Sequence, residues 1–399
     1  MTAAESPLLR PAFALAMLAN VCWFMAFATF FLLPKFLITE LDASEAQVGW
    51  VMASFGIFSI AALPFVGGLT DRFGRRPFLF IGALVMAASA VLYTTVETIG
   101  VAAYGLRMLQ GLAFACWFVS SSTIVVDLVP SSRRGAALGL FGISTLSTHG
   151  LAPSLAEWLA IQHGFDVVFL TATGFALLAA MLALWLPGGR HRRQGGAPSR
   201  SNRALLSRPG VGLIVLASFL CGCGFGTALV FSQPMALQRG LPMVAAFLVA
   251  YALTSIVVRI FFARLTDHPS RRLVVIPSVF FMGAGILWLA FLDTMPEFVL
   301  AGMLMGLGHS LTYPTMNALL INRLRQSEHG RGMSLFVGGF NAGMIVAQTL
   351  LGWLTQYFSL AAVFIIAALL VWGAAPSFYG ATMAPAGAVS RRLRARRAR

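Results

Sequence analysis

The sequence predicts an all-α integral membrane protein with twelve transmembrane helices in two pseudo-symmetric six-helix bundles. Hydrophobic residues make up 58% of the 399 residues and charged residues only 10%, whereas a soluble domain carries about 25% charged residues. Apolar runs of about 20 residues, the length that a helix needs to cross a bilayer core, occur twelve times. A loop motif of the first half recurs in the second half. No run alternates with period two, which excludes a transmembrane β-barrel.

The twelve apolar spans follow one another along the whole chain. Their approximate positions are 12–36, 47–66, 77–96, 101–126, 136–160, 166–187, 210–235, 242–263, 273–292, 297–320, 333–355 and 359–376. A segment rich in Gly, Ser and Arg separates the sixth span from the seventh and predicts a linker. We therefore expect a six-helix bundle over residues 1–187, a basic linker over 188–209, a second bundle over 210–378 and a basic tail over 379–399.

The distribution of charge predicts the orientation in the membrane. With an even number of spans both termini lie on one side, and every basic residue except Lys35, Arg107, Arg239 and Arg259 falls on that side. The opposite loops hold the acidic residues Glu40, Asp42, Glu45, Glu97, Asp166, Asp293 and Glu297. The positive-inside rule therefore predicts a multi-pass protein of the cytoplasmic membrane with both termini in the cytoplasm. Because topology explains the net charge of +15 and the basic loops lack interleaved aromatic residues, the pattern argues against nucleic-acid binding.

One basic loop occurs in both halves of the sequence. The stretch GGLTDRFGRRP, Gly67 to Pro77, follows the second span, and ARLTDHPSRRL, Ala263 to Leu273, follows the eighth. The alignment that places Asp71 over Asp267 also brings two arginine pairs into register. Duplication of a six-helix unit is the simplest explanation, and transporters built this way bind substrate between the halves near mid-membrane. A nucleotide-binding loop is excluded because no strand precedes the first stretch and no G-K-[ST] follows it.

The loop resembles a motif of the major facilitator superfamily, whose loop between spans two and three follows the pattern G-x-L-x-D-R-x-G-R-R. The matching residues are Gly67, Leu69, Asp71, Arg72, Gly74, Arg75 and Arg76, with Asp267, Arg271 and Arg272 in the second copy. The resemblance covers the whole chain through its twelve spans, its central linker and the repeated loop. It implies the fold of that superfamily and secondary transport by alternating access.

We expect this loop to act as a gate on the cytoplasmic side. Asp71 would begin a tight turn, where a carboxylate can accept hydrogen bonds from N–H groups at a helix amino terminus. Arg75 and Arg76 would reach acidic partners at helix ends, and Asp127 at the end of the fourth span is the expected one. The resemblance implies that the motif stabilises the outward-open state. The alternative is that these arginines only fix the topology.

Ionisable residues inside the spans are candidates for proton coupling, since a charge at mid-bilayer costs about 2.5 to 3.5 kcal/mol. Arg107 begins R-x-x-Q-G in the fourth span, which in the resemblance is a signature of drug/proton antiporters. It would act by favouring the ionised form of a nearby carboxylate, and Glu157 is the expected one. Glu157 stands where that branch usually has glycine, close to the outer interface, where water could solvate it. His149 and His309 titrate near neutral pH and are further candidates, with packing as the alternative role.

In the resemblance, spans one, four, seven and ten line the substrate cavity. The candidate lining residues, including two from the eleventh span, are Asn20, Trp23, Gln110, Trp117, Phe231, Gln233, Tyr313, Asn317, Asn341 and Gln348. This lining is mostly aromatic or neutral and polar. It suits an amphipathic or weakly charged organic solute better than a multivalent anion.

We therefore expect a monomeric secondary transporter of the drug/metabolite:proton antiporter branch, which exports a small organic solute across the bilayer in exchange for protons. Import of a sugar or organic acid stays an alternative, because the fifth span departs from the antiporter pattern. Met235, Met303, Met305 and His309 leave transport of a metal or metallophore as a third alternative, although methionine-rich spans are usually packing. The sequence shows no catalytic motif, and it indicates neither enzymatic activity, nor a cofactor, nor a resident metal.

Overall fold

The helices of the computed structural model follow the apolar runs of the sequence. It describes residues 11–130, 133–186, 202–208, 210–262, 265, 270–325 and 328–383. The first six long helices are α1 (Pro11–Thr39, with a 3₁₀ turn at Phe30–Leu32), α2 (Glu45–Phe73), α3 (Arg76–Leu92), α4 (Val101–Asp127), α5 (Arg134–His163) and α6 (Phe165–Leu184). The second six are α7 (Val211–Gln238), α8 (Ala246–Phe261), α9 (Arg272–Trp288), α10 (Met295–Arg323), α11 (His329–Val346, continued by a π-helical turn at Ala347–Leu351 and by Gly352–Leu354) and α12 (Leu360–Met383). The described residues thus form the twelve long helices that the sequence predicts, and none of them is in a strand.

Most of these helices suit a bilayer by length and composition. Eight segments are long and apolar enough to cross a membrane, in α1, α2, α3, α4, α6, α7, α11 and α12. The helices α8 and α9 are apolar but shorter. The helices α5 and α10 contain more polar residues, among them the site candidates Glu157 and His309.

Local sequence signals explain where several helices begin. Ser44 precedes α2, and its Oγ accepts a hydrogen bond from Gln47 N (3.3 Å) while Gln47 Oε1 accepts one from Ser44 N (2.9 Å), which is a capping box. At the start of α10, Glu297 Oε2 likewise accepts from Thr294 N at 3.0 Å. Pro77 occupies the first turn of α3, where its missing N–H costs no hydrogen bond.

The chain divides into two compact units. The first comprises Met1–Arg193 together with Met243–Ala252, and the second comprises Gln194–Pro242 and Leu253–Arg399. The boundary therefore falls within α8, whose first part belongs to the first unit. The sequence, in contrast, places all of α8 in the predicted second bundle.

Helix pairing within each unit repeats at an interval of six helices. In the first unit, α1 packs against α5 and α6, and α3 packs against α4 and α6. In the second unit, α7 packs against α11 and α12, and α9 packs against α10 and α12. The same pairing in both units is what duplication of a six-helix unit predicts.

Small residues allow α7 and α11 to approach closely. A Cβ atom at Gly222 would overlap the Phe340 carbonyl oxygen, and one at Gly343 would overlap the Phe219 carbonyl oxygen. Backbone approach of this kind is typical of helix pairs in membranes.

The connection between α2 and α3 is shorter than the sequence predicts. The helix α2 continues through Gly67–Phe73, so that only Gly74 and Arg75 connect it to α3. The expectation that Asp71 begins a tight turn is therefore wrong, since Asp71 lies in the last turn of α2. The helix ends where a residue with positive φ is available, at Gly74 (φ 89°), which is a conformation that glycine adopts without strain.

Three predicted features lie wholly or mostly outside the described residues: Asp267, the linker over 188–209 and the end of the tail, 384–399. Of the linker, the structure describes the short helix Asn202–Leu206 and the two residues after it. The helix α12 ends at Met383, beyond the predicted end of the twelfth span at 376, so the first residues of the predicted tail are helical.

Candidate functional site

A pair of tryptophans joins α1 to α4 in the first unit. The rings of Trp23 and Trp117 stack with centroids 5.4 Å apart and an interplanar angle of 6°. Trp117 Nε1 donates to Asn20 Oδ1 at 3.4 Å, and Asn20 Nδ2 donates to the hydroxyls of Ser144 (3.1 Å) and Thr145 (3.2 Å) on α5. Asn20, Trp23 and Trp117 are all buried. Three of the predicted lining residues therefore form one connected group.

Two phenylalanines extend this pair into a larger aromatic surface. Phe27 stacks on Trp23 at 5.6 Å and 12°, and Phe114 lies 5.3 Å from Phe27. We call Trp23, Phe27, Phe114 and Trp117 the first aromatic cluster. Ring faces of this kind bury apolar area and favour offset or edge contacts with other rings.

The charge of Arg107 is buried beside this cluster. Its side chain, 2% exposed, donates from Nη1 to Gln110 Oε1 at 2.6 Å and from Nη2 to Met52 Sδ at 3.4 Å. The guanidinium lies over the Phe55 ring, 4.9 Å from its centroid, and that ring contacts Phe27 at 5.4 Å. No acidic side chain in the described part of the chain forms an ion pair with Arg107.

Glu157 is buried as well, but the structure does not bring it to Arg107. Its Oε1 accepts hydrogen bonds from Lys35 Nζ (2.9 Å) and Val244 N (2.9 Å), and its Oε2 accepts one from Ala245 N (2.7 Å). Lys35 lies in α1, and the other two donors directly precede α8. At 3% exposure the carboxylate is not solvated, contrary to the alternative that the sequence allows. Three donors from two segments of the chain thus hold the carboxylate in place.

A second aromatic cluster joins α7, α10 and α11 in the second unit. It consists of Phe225, His309, Tyr313, Phe336 and Phe340. The His309 ring lies 4.8 Å from Phe225 and 5.9 Å from Tyr313, and Tyr313 lies 4.9 Å from Phe336. Each cluster thus uses the first and fourth helices of its own unit, the helices that the resemblance assigns to the cavity.

The other lining candidates are distributed over the same helices. Phe231 and Gln233 are buried in α7, whereas Asn317 in α10 and Asn341 in α11 are half-buried. Gln348 is buried within the π-helical turn of α11, a distortion that is frequent at functional sites.

His149, a further candidate, lies on α5 outside both clusters. Its ring stacks on Phe31 of α1, with centroids 4.9 Å apart and an interplanar angle of 17°. The histidine thus packs against an aromatic face within the first unit.

The arginines of the repeated loop make equivalent contacts in the two units. Arg75 is buried and forms an ion pair with Asp127 at the end of α4. Arg271 donates to the side-chain oxygen of Asn322 near the end of α10, at 3.2 Å from Nη1 and 2.8 Å from Nη2, in the amide orientation that satisfies these donors. At these two positions the first unit offers the carboxylate of Asp127 and the second the neutral amide of Asn322. Four residues that match the loop motif are exposed, namely Leu69, Arg72, Arg76 and Arg272.

The structure adds charged contacts that the sequence does not reveal. Besides Lys35 with Glu157, Arg239 pairs with Asp293, and Arg208 binds Glu328 through Nη1 to Oε2 (2.7 Å) and Nη2 to Oε1 (2.6 Å). The hydrogen bond from Arg208 is the main cause that lowers the pKa of Glu328 to about 2. For these contacts the sequence offers one signal, which is that Lys35 is the only lysine in the chain.

A metal site has no support in the described residues. Nowhere in these ranges do three or more His, Cys, Asp or Glu side chains come together in a way that could hold an ion. All four cysteines are buried and free.

The chain matches a known protein family over most of its length. The family model described as Major Facilitator Superfamily matches residues 15–268 and 214–398. The chain is 25% identical over 263 residues to Multidrug resistance protein MdtL of Klebsiella pneumoniae (strain 342). It is 26% identical over 272 residues to the protein of the same name from Escherichia coli O6:K15:H31 (strain 536 / UPEC). Each match covers 64% of the chain and 66% of the relative, so the chain spans slightly less than two thirds of these relatives.

Solved structures share the fold. A mutant of the nucleoside transporter NupG is similar with a TM-score of 0.76 and 14% identity, covering 92% of this chain and 99% of that one. The human organic anion transporter MFSD10 (TETRAN) is similar with a TM-score of 0.69 and 16% identity, covering 92% and 100%. At these identities the likeness shows the fold alone.

Proposed function

Because the chain belongs to the major facilitator superfamily, we propose that it exports small amphipathic organic compounds from the cytoplasm in exchange for protons. Membership of this family makes it a multi-pass membrane transporter of small molecules and not an enzyme. In this architecture transport proceeds by alternating access, in which a central site opens to one side of the membrane at a time.

The two aromatic clusters carry the proposal for the solute. In one unit Trp23 stacks on Trp117, which donates to the neutral side chain of Asn20. In the other unit the cluster contains the rings of His309 and Tyr313. Sites of this composition bind mostly apolar ligands and use a few polar groups for orientation. A planar amphipathic compound suits aromatic clusters of this kind better than a sugar, which needs many polar partners, and better than a multivalent anion.

The relatives support export. The curated matches are named multidrug resistance proteins, and such a name fits removal of compounds from the cell. Arg107 and Gln110, which form the R-x-x-Q signature of drug/proton antiporters in the resemblance, are hydrogen-bonded to each other in α4. The basic loops support the orientation with both termini in the cytoplasm.

Glu157 is the proposed proton-binding group. Among the carboxylates whose side chains the structure describes, it alone is buried. It accepts hydrogen bonds from Lys35, Val244 and Ala245, so we propose that these donors move away when a proton binds. His149 and His309 are further candidates for carrying the coupling proton. We assign to Arg107 a supporting role, since its fixed charge disfavours binding of a cation beside the first aromatic cluster.

The loop ion pair has a proposed role in gating. Arg75 and Asp127 connect the start of α3 to the end of α4, and Arg271 and Asn322 make the equivalent connection in the second unit. These contacts would keep the cytoplasmic helix ends of each bundle together while the bundle moves as one body.

Solute flux driven by a pH gradient tests the proposed function. Proteoliposomes with an acidic lumen should accumulate aromatic amphipathic compounds from the medium, and should not accumulate sugars. Trp117→Ala should raise the KM for such a compound about tenfold, because the loss of one ring contact and its buried area costs about 1.4 kcal/mol.

Trp185→Ala provides the matched control, since that tryptophan is 78% exposed at the end of α6. It should leave KM unchanged. Accumulation of the compound that does not depend on the pH gradient would contradict proton coupling. An equal rise of KM in both variants would contradict the assignment of the aromatic cluster.

A further inference from the structure

The amino-terminal end of α8 is held by a side chain from another helix. Glu157 on α5 accepts hydrogen bonds from Val244 N at 2.9 Å and Ala245 N at 2.7 Å. The first N–H groups of a helix have no partner within it, and the helix dipole favours a negative charge at that end. Glu157 therefore binds the two residues that directly precede α8, the nearer of them 87 residues away in the sequence, and places its carboxylate at this end of the helix.

Lys35 fixes the carboxylate in place. Its Nζ donates to Oε1 of Glu157 at 2.9 Å, and its side chain is only 14% exposed. A lysine ammonium offers donors and no acceptor, and its positive charge balances that of Glu157. Because it binds Oε1, Oε2 is left to accept the hydrogen bond from Ala245 N. The chain's single lysine thus acts on α8 only through the carboxylate.

A close approach between α5 and α8 accompanies this cap. A Cβ atom at Gly150, two turns before Glu157, would lie 3.1 Å from Ala252 Cβ and 3.5 Å from Val249 Cα. These contacts fall within Met243–Ala252, the part of α8 that belongs to the first unit. The helix α5 therefore contacts the two residues that precede α8 and, at Gly150, the second turn of α8.

We propose that Glu157 is the latch of an outer gate, whose two hydrogen bonds to α8 break and re-form once in each transport cycle. The proposal rests on the proposed function and on the predicted orientation, which puts the ends of α1 and α5 and the start of α8 at the outer surface. Alternating access requires helix ends on one side of the membrane to separate and rejoin. Backbone amides suit such a contact, because water can take the place of the carboxylate when the helices part. Lys35 is a positioning residue of this latch.

Hydrogen exchange in the segment Met243–Ala252 measures the latch without solute or pH gradient. In the full-length protein in lipid nanodiscs, Glu157→Gln should speed exchange of the Val244 and Ala245 amides about tenfold or more, because a charge-assisted hydrogen bond is lost. The same variant should keep the KM for a solute within about twofold and lower turnover about tenfold, since the latch governs a conformational step.

A charge exchange separates the cap from the ion pair. Lys35→Glu combined with Glu157→Lys restores opposite charges but leaves no acceptor at position 157, so exchange of the two amides should stay fast. As a control, Arg239→Met removes the exposed ion pair with Asp293. Exchange of the Val244 and Ala245 amides should stay slow in this variant. Slow exchange of the Val244 and Ala245 amides in Glu157→Gln, or in the double variant, would overturn the proposed latch. This outcome does not depend on whether protons drive transport. A KM that rises together with the fall in turnover would overturn it too.

Discussion

Gly74 sets the geometry of the first copy of the repeated loop. Its φ of 89° and ψ of 169° lie in a region that other residues enter only with strain. Its N–H donates to Thr70 O at 3.0 Å and closes the last turn of α2. Because Arg75 follows immediately, the direction in which this arginine leaves the helix, toward Asp127, depends on the conformation of the glycine.

Alanine substitutions at two glycines of the same motif should therefore differ. Gly74→Ala should lower the free energy of unfolding by about 1 to 3 kcal/mol, the usual cost of a residue held in a sparsely populated conformation. Gly67→Ala should be neutral or stabilising by up to about 1 kcal/mol, because it lies within α2 and its Cβ would have no atom of the described residues within 4 Å. Thermal unfolding in detergent measures both, and equal losses of stability would contradict the assigned role of Gly74.

Arg208 and Glu328 connect the segments that precede α7 and α11. The two parallel hydrogen bonds, at 2.7 Å and 2.6 Å, form the bidentate arrangement in which arginine and carboxylate bind most strongly. Glu328 Oε2 also accepts from Arg325 N at 3.1 Å, which fixes the chain just before α11. Since α7 and α11 pack together along their length, this contact aligns their ends on one side of the second unit.

The Glu328 contact predicts a pH dependence of stability. The folded protein lowers the pKa of this carboxyl from 4.5 to about 2, chiefly through the hydrogen bond from Arg208. Its contribution to stability is therefore fully present above the unfolded value and is lost as the pH falls from 4.5 toward 2. Glu328→Gln should unfold at a lower temperature than the wild type at neutral pH, and the difference should shrink through that acidic window. A difference that is constant down to the lowest pH would contradict the contact.

For the whole molecule, the features that could be predicted from sequence are those that the membrane imposes locally. A bilayer demands long apolar helices, so the count of apolar runs predicted twelve of them, and the repeated loop predicted a duplicated six-helix unit. The contact of Arg75 with Asp127 could be anticipated because both residues lie at helix ends on the same predicted side of the membrane.

The partners of Glu157 could not be predicted in this way. Lys35 lies 122 residues from Glu157, and the amides of α8 lie 87 and 88 residues from it. No periodicity or local motif links positions so distant. The sequence analysis therefore paired Glu157 with another ionisable residue inside the predicted spans, Arg107, whereas in the fold that arginine contacts an amide, a sulfur atom and an aromatic ring.

Proton movement caused by the solute alone tests most directly whether this transporter exchanges protons for organic compounds. Proteoliposomes containing a pH-sensitive dye would be prepared without a pH gradient, and an aromatic amphipathic compound would be added to the medium. Exchange predicts that protons leave as the compound enters, so the lumen becomes alkaline. Acidification of the lumen, which is the result for uptake together with protons, or the absence of any change, would contradict the proposed exchange.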